Sequence, residues 1–449
     1  MKELINFPYR HVLVLGLAKS GSAAAKLLLQ NGKYVRVNDK NTSQTDDDAR
    51  ELMVLGAEVI TGSHPLSVLD DIEIIVKNPG IPYEMPLLEE ALRRKIPIIT
   101  EVELAGNLST SDMIGITGSN GKTTTTTLTA EMLNESQKPA KIAGNIGYAA
   151  TEIVQSLEKD ERMVLELSSF QLLGVQTFKP RIAVLLNIFE AHLDYHKTFE
   201  NYKNAKCNIF INQTEDDFLI YNADNTTVSE AVKEAKSAKV PFSLKKSVTN
   251  GAWTDDTSVY FKNEKLIEKK NIVLPGAHNL ENILAAICAA KLSGVSNQAI
   301  FNVLTTFKGV HHRLQFVTSV NGRLFYNDSK ATNVLATQKA LSSFKQPIVL
   351  IAGGLDRGNV FDDLKPYMEN VKGAVLIGET QAKLTRAARE AGVSVIETAE
   401  SMKDAVEKAY HLSDVDDVVL LSPACASWDQ YSTFEQRGDM FIQAVHTLL

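Results

Sequence analysis

The chain has 449 residues, with 47 Lys plus Arg against 54 Asp plus Glu, a net charge of −7. Apolar residues make up 44% and charged residues 22%, which excludes a disordered chain, a collagen-like repeat and a coiled coil. Three scattered cysteines, Cys207, Cys288 and Cys425, supply neither a disulfide framework nor a four-cysteine zinc site, and with no basic stripe no nucleic-acid partner is expected.

At the N-terminus, Lys2, the run VLVLGLA and Ala23-Ala24-Ala25 faintly mimic a signal peptide, but Lys19-Ser20-Gly21 interrupts the run. No apolar run reaches the ~18 residues of a membrane span. The expectation is a cytoplasmic protein with no membrane partner.

Residues 12–17 (VLVLGL) read as a buried strand. A glycine turn follows, then a helix to about Gln30, stopped by Asn31-Gly32. Strands are expected at 34–38, 57–60, 73–76 and 97–99, making a Rossmann-like domain over 1–100. A second alternating series begins at 113–117, with strands near 163–167, 182–187 and 218–221. Residues 240–275 read as hairpins at a sheet edge, and 279–293 as an Asn-capped helix. A third α/β series has strands at 323–326, 348–352, 374–377, 393–396 and 417–421. The fold expected is α/β with three domains: an N-terminal Rossmann-like domain, a central P-loop ATPase-like domain (101–308) with a mostly parallel sheet, and a C-terminal Rossmann-like domain (309–449). Such a chain suits an enzyme whose site lies between domains.

The sharpest local signal is ITGSNGKTTTT, between an expected strand and an expected helix. Backbone N–H groups of such a loop point at phosphate, and the helix N-terminus adds positive potential. Gly118, Ser119, Asn120 and Gly121 would form the cradle. Lys122 would reach the β- and γ-phosphates, and Thr123 with Thr124 would open the helix, the Thr123 hydroxyl binding Mg²⁺. The loop is shorter than the usual phosphate-binding form, since Ile116 stands where a glycine is expected.

Gly16-Leu-Ala-Lys-Ser-Gly21 approximates a dinucleotide fingerprint with Ala18 at its middle glycine, and Asp39 ends the second strand. An NAD-linked oxidoreductase therefore stays open as an alternative, as does a tight packing turn. Glu166 ends a buried strand beside the phosphate loop, a fitting place for a magnesium ligand. His192 and His196 are four apart, which raises zinc, but Leu193 replaces the glutamate of HExxH. Lys206, read from chemistry alone, is an amphipathic-helix lysine.

GSNGKTTT, GNIG at 144–147, ELSSFQL at 166–172, GAHNLEN at 276–282, HHR at 311–313, NDSKATN at 327–333 and SPACASWDQYSTFEQRG at 422–438 together resemble the ATP-dependent muramyl-peptide ligases, over essentially the whole chain. NDSKATN and the last segment are similar to the members that add D-glutamate to UDP-N-acetylmuramoyl-L-alanine. The resemblance implies amide formation through an acyl phosphate and a tetrahedral intermediate, with ADP and phosphate released, in peptidoglycan precursor synthesis. It implies three small-molecule substrates (the UDP-sugar, D-glutamate and ATP), two Mg²⁺ sites and a monomer.

It further implies roles at matching positions. Ser20, Asp39, Lys40 and Asn78 would surround the uridine diphosphate, and Asn145 and His192 would face the muramoyl-alanine end. Asn279, Asn282, Arg313 and Asp328 would hold the nucleotide with the phosphate loop. Lys330, Thr332, Arg357, Ser427 and Phe434 would contact D-glutamate. Lys206 matches a lysine that becomes N-carboxylated and, with Glu166, Thr123 and His192, would hold the cations. Arg357 stands where several relatives carry lysine. Two rivals remain beside the oxidoreductase: a folylpolyglutamate-synthase-like ligase, which shares the loop, and a nucleotide switch that makes no product.

Overall fold

A computed structural model describes residues 2–4, 7–43, 45–108 and 112–449. It contains the three α/β sheets the sequence implies, within two compact units. One unit comprises Met1–Asn271 with Glu281–Val303, and the other Ile272–Leu280 with Leu304–Leu449.

The first sheet is wholly parallel. It comprises β1 (His11–Leu15), β2 (Tyr34–Asp39), β3 (Glu58–Thr61), β4 (Ile74–Lys77) and β5 (Ile98–Ile99), in spatial order β3-β2-β1-β4-β5. Central β1 is apolar on both faces because alternate residues bury on opposite sides. Val12 and Val14 enter one core cluster, Leu13 and Leu15 another. The strand stops at Leu15 and not at residue 17, because Gly16 turns the chain at φ +93°. A Cβ at Gly16 would lie 2.8 Å from Asn78 Cβ, and one at Gly21 only 1.9 Å from the Gly16 carbonyl oxygen.

The second sheet comprises β6 (Met113–Thr117), β7 (Ala140–Gly144), β8 (Arg162–Glu166), β9 (Ile182–Leu185), β10 (Phe218–Asn222), β11 (Ala238–Ser243), β12 (Ala252–Thr254), β13 (Ser258–Phe261) and β14 (Glu264–Glu268). Its order is β14-β13-β12-β11-β10-β9-β6-β8-β7. The hairpins expected over 240–275 are β12-β13-β14, antiparallel at the sheet's end, but β11 pairs parallel with β10 and extends the main sheet. The helix Glu101–Leu108 and the helix Ala150–Ser156 place Val102, Leu104, Ala150 and Val154 in the same cluster as Val12, Val35 and Leu165. The first two sheets therefore share one continuous apolar core. The helix expected over 279–293 runs Ala277–Leu292, so Asn279 sits in its first turn and does not cap it. Gly276, at φ +99°, precedes it.

The third sheet lies in the second unit. It comprises β15 (Gln315–Val320), β16 (Arg323–Asn327), β17 (Ile348–Gly353), β18 (Val371–Ile377), β19 (Val395–Thr398) and β20 (Val418–Leu421), in order β15-β16-β20-β17-β18-β19. Only β15 is antiparallel to its neighbour. In β17, Ile348, Leu350 and Ala352 face one cluster while Val349 and Ile351 face the other, so the sheet is covered on both sides. Among the described residues no helix is long and apolar enough to cross a membrane.

Candidate active site

The phosphate loop leaves the fully buried strand β6 and enters the helix Lys122–Glu135. Gly121 makes the turn at φ +84°, where a Cβ would lie 2.1 Å from Asn282 Oδ1. Only glycine meets both conditions. Within the helical threonine run after it, Thr125, Thr127 and Thr129 each donate a hydroxyl to the carbonyl four residues back, so their side chains are satisfied inside the helix. Thr123 is buried in the first turn and Thr124 half-buried.

A second segment fixes the loop. Ser119 N donates to Asn187 O (2.9 Å), Asn120 N to Asn187 Oδ1 (2.9 Å), and Asn187 Nδ2 back to Asn120 O (3.2 Å). Ser119 Oγ lies 2.9 Å from Tyr202 Oη and accepts from Phe189 N at 2.9 Å. These bonds explain why β9 ends at Leu185 and not at 187: the chain there turns its polar groups onto the loop. Neither Asn187 nor Tyr202 was expected from sequence, since no spacing rule links positions 67 or 83 residues apart.

Lys122 Nζ donates to the carbonyls of Gly118 (2.9 Å) and Ser119 (3.2 Å). Lys206 Nζ donates to the same Gly118 carbonyl at 2.9 Å, from the helix Phe199–Cys207. Lys206 is 1% exposed and sits 4.7 Å over the Tyr202 ring. Burial, and then the charge of Lys122, hold its amine well below the usual lysine range. His192 stands at a left-handed position, φ 55°, packed edge-on against Phe170 at 5.0 Å. Partial desolvation, then Lys206 and Lys122, keep it below the ordinary imidazole value. The three bases expected at the reaction centre are thus mutual electrostatic neighbours. His196 belongs to packing. Its Nε2 lies 3.0 Å from Ser169 Oγ, it stacks on Phe170, and burial lowers its pKa to about 4.

Glu166 ends β8 level with Ile116 of β6 and Gly144 of β7. Its Oε1 accepts from Asn145 Nδ2 at 2.8 Å, whereas its buried Oε2 has no hydrogen-bond partner. An orphaned carboxylate oxygen beside a phosphate loop fits a hard cation.

Ser20, Asn78 and Asn145 line one cavity of about 470 Å³ with Glu101, Tyr148 and Phe170. Asp39 and Lys40 lie outside that lining. Burial would raise Asp39, but N–H donors from Leu17, Thr42 and Asn41 outweigh it and hold the carboxyl low. Lys40 is exposed. Glu101 was not anticipated. Its Oε1 accepts from Thr151 N at the start of the helix Ala150–Ser156, and burial pushes its pKa up to about 7. Lys77 was also missed. It is 1% exposed and donates to the carbonyls of Asn78 (3.1 Å), Pro79 (3.1 Å) and Ile81 (2.7 Å) and to Tyr195 Oη (3.1 Å).

In the second unit, Asn279 Nδ2 donates to Pro275 O at 2.7 Å. Asp328 is buried, accepting from Leu314 N (3.0 Å) and Ser422 Oγ (2.9 Å). Burial pushes it up to about 7, against the charge of nearby Arg313. Lys330 Nζ lies 5.0 Å over the Phe434 ring. Thr332 N donates to Lys330 O at 2.9 Å, and Ser427 Oγ is buried without a hydrogen-bond partner. Arg357 is exposed in the turn after β17.

A glycine-turned phosphate loop on a mostly parallel sheet, with two lysines on one carbonyl, defines a nucleotide-triphosphate-using α/β protein. Three family models match the chain: a Mur ligase MurD-like N-terminal domain over residues 10–100, a Mur ligase middle domain over 116–290, and a Mur ligase glutamate ligase domain over 312–425. The chain belongs to the Mur ligase family. It is 59% identical over 448 residues to a UDP-N-acetylmuramoylalanine--D-glutamate ligase of Oceanobacillus iheyensis, and 57% identical over 450 residues to one of Bacillus cereus strain G9842, each match covering 100% of both chains. Its fold resembles the UDP-N-acetylmuramate-alanine ligase MurC of Thermotoga maritima (TM-score 0.58, 19% identity, 98% of this chain and 99% of that one). It also resembles the MurF ligase of Thermotoga maritima in complex with ADP (TM-score 0.57, 18% identity, 100% and 98%).

Proposed function

We propose that this protein is an ATP-dependent ligase that joins D-glutamate to UDP-N-acetylmuramoyl-L-alanine, working as a cytoplasmic monomer. Full-length identity to relatives of that name supports the substrates. The observation that carries the chemistry is the convergence of Lys122, Lys206 and His192 at a loop built to hold phosphate. In this reading the first sheet binds the UDP-sugar (1–100), the second ATP (101–308) and the third the amino acid (309–449).

A carboxylate does not acylate an amine in water, because oxide is a poor leaving group. Phosphoryl transfer from ATP to the alanyl carboxylate makes an acyl phosphate. The D-glutamate amine then attacks, a tetrahedral intermediate forms, and phosphate leaves with its oxygen. Phosphoryl transfer rests on positioning and charge neutralisation. Lys122 leaves its two loop carbonyls and meets the charge on the γ-phosphate. Asn282, backed against Gly121, and Asn279, Arg313 and Asp328 hold the rest of the nucleotide. Ser20, Asp39, Lys40 and Asn78 hold the uridine diphosphate, while Asn145 and His192 orient the alanyl end. Lys330, Thr332, Arg357, Ser427 and Phe434 contact D-glutamate, the cations meeting its carboxylates.

Thr123 and Glu166 would hold one Mg²⁺, with His192 and carbamylated Lys206 holding a second. Bound there, the cations supply charge neutralisation for the transferring phosphoryl group. Lys206 suits carbamylation because only a neutral amine attacks carbon dioxide, and burial beside Lys122 favours that neutral form. The glycines at 16 and 21 serve the close packing of their turn and so do not require a dinucleotide. Phosphate release dependent on UDP-N-acetylmuramoyl-L-alanine, ATP and D-glutamate together is the deciding assay. Release with a folate acceptor instead, or without either acceptor, overturns the reading.

A further inference from the structure

The Arg357 guanidinium carbon lies 4.5 Å over the centre of the Trp428 ring. Trp428 is 64% exposed, an unusual place for a large apolar surface to stand open. Its neighbour Ser427 is 2% exposed, with a hydroxyl that has no hydrogen-bond partner. No carboxylate of the described residues forms an ion pair with Arg357 within 4.0 Å. The acid beside it, Asp356, is held by Lys383 at 2.7 Å. The ring face is what Arg357 rests on. A second cation in the same unit has the same arrangement, Lys330 at 5.0 Å over Phe434.

The chemistry of this pairing is directional. A guanidinium is planar, and all five of its N–H donors lie in that plane. Laying the plane on an aromatic face uses none of them. It removes much of the freedom of a long side chain and leaves the in-plane donors free for the two oxygens of one carboxylate. An ammonium on the same ring would be held but could offer no fork. Glutamate carries two carboxylates, and this unit offers two ring-seated cations with an unpartnered buried hydroxyl beside one of them.

We propose that Trp428 is a positioning residue for the amino-acid substrate: its ring seats the Arg357 guanidinium so that its in-plane donors receive one glutamate carboxylate. This rests on the reading of Arg357 as a glutamate contact. The residue acts through Arg357 and takes no part in the bond-forming step, so its loss raises KM for D-glutamate and leaves kcat and the KM for ATP near wild type.

The test is a double-mutant cycle on the full-length enzyme, scored by phosphate release with D-glutamate varied. An exposed cation–π contact corresponds to about a two- to fivefold change. Trp428→Ala should raise KM for D-glutamate by about that factor, and Trp428→Phe by less. In an Arg357→Ala background, Trp428→Ala should change nothing further. Emission supplies a second readout. The chain has two tryptophans, so Trp253→Phe leaves Trp428 as sole reporter, and adding Arg357→Ala should change its spectrum. A KM for D-glutamate unmoved by Trp428→Ala but raised by Arg357→Ala overturns the seating role while leaving the glutamate contact intact. Equal effects of Trp428→Ala in both backgrounds overturn it as well, since the ring would then act on its own. An Arg357→Ala enzyme with unchanged KM for D-glutamate removes the glutamate contact itself, and the seating role with it.

Discussion

Lys77 and Lys206 are the same residue type, each 1% exposed and in the same compact unit, yet their surroundings differ in kind. Lys77 has four oxygen acceptors, three of them carbonyls of one loop. Lys206 has the Gly118 carbonyl, an aromatic ring and a second lysine nearby. The first arrangement uses a lysine amine as a strut, tying the Asn78–Ile81 turn to Tyr195 on the segment that carries His192. The second leaves an amine with one carbonyl acceptor and a neighbouring positive charge. Burial alone does not tell the two lysines apart; the count of acceptors around each does.

The comparison breaks most sharply at Lys206. Lys206→Ala should be nearly inactive and partly recovered by short carboxylic acids, which replace the oxygen ligand of a carbamate. Full activity in bicarbonate-free buffer, with no carbamate carbon resonance, would remove the reactive role. Lys122→Ala should lower turnover on the order of 10²-fold or more, as loss of preorganised electrostatic groups does; a normal rate in the phosphate-release assay would contradict the loop assignment. Lys77→Met should act on stability, by about 1–3 kcal/mol in a denaturant titration, because buried carbonyls lose their donor. Unchanged stability with lost catalysis would reverse the roles drawn here.

The same contrast can be sharpened through pH. Burial pushes Lys77 down to about 7 in the native state from an ordinary 10.5. Between those values the unfolded chain binds a proton the native chain has released, so stability rises with pH across that window. Wild type should therefore gain on Lys77→Met as pH climbs from about 7 toward 10, with a flat difference below pH 7. A gap that stays level over that range would show that the amine stays charged in the fold.

Much of this was legible in the sequence where local rules hold. β6 falls at 113–117 as its apolar run implies, and the loop and helix follow it because Gly118, Gly121 and the threonines act within a few residues of themselves. β7 escaped notice because AKIAG is an edge strand with only Ala143 buried, so its hydrophobic signal is weak. β15 was missed for a related reason, having one buried residue, Val320. The site's remaining parts depend on distant pairings. Lys206 meets Gly118 across 88 positions and Lys77 meets Tyr195 across 118. Neither side chain differs in sequence from a surface lysine, and only the fold brings its partner near.

The apolar core running unbroken from Val12 through Val102 and Ala150 to Leu165 carries a lesson for anyone dissecting the chain. A cut after residue 100, at the seam where one sheet's connecting segment ends, would bare greasy faces on both fragments and take away the cover from the helix Glu101–Leu108. Neither piece would be a faithful miniature of its half, so binding studies on the nucleotide-sugar portion call for the intact polypeptide with point changes in place of truncation.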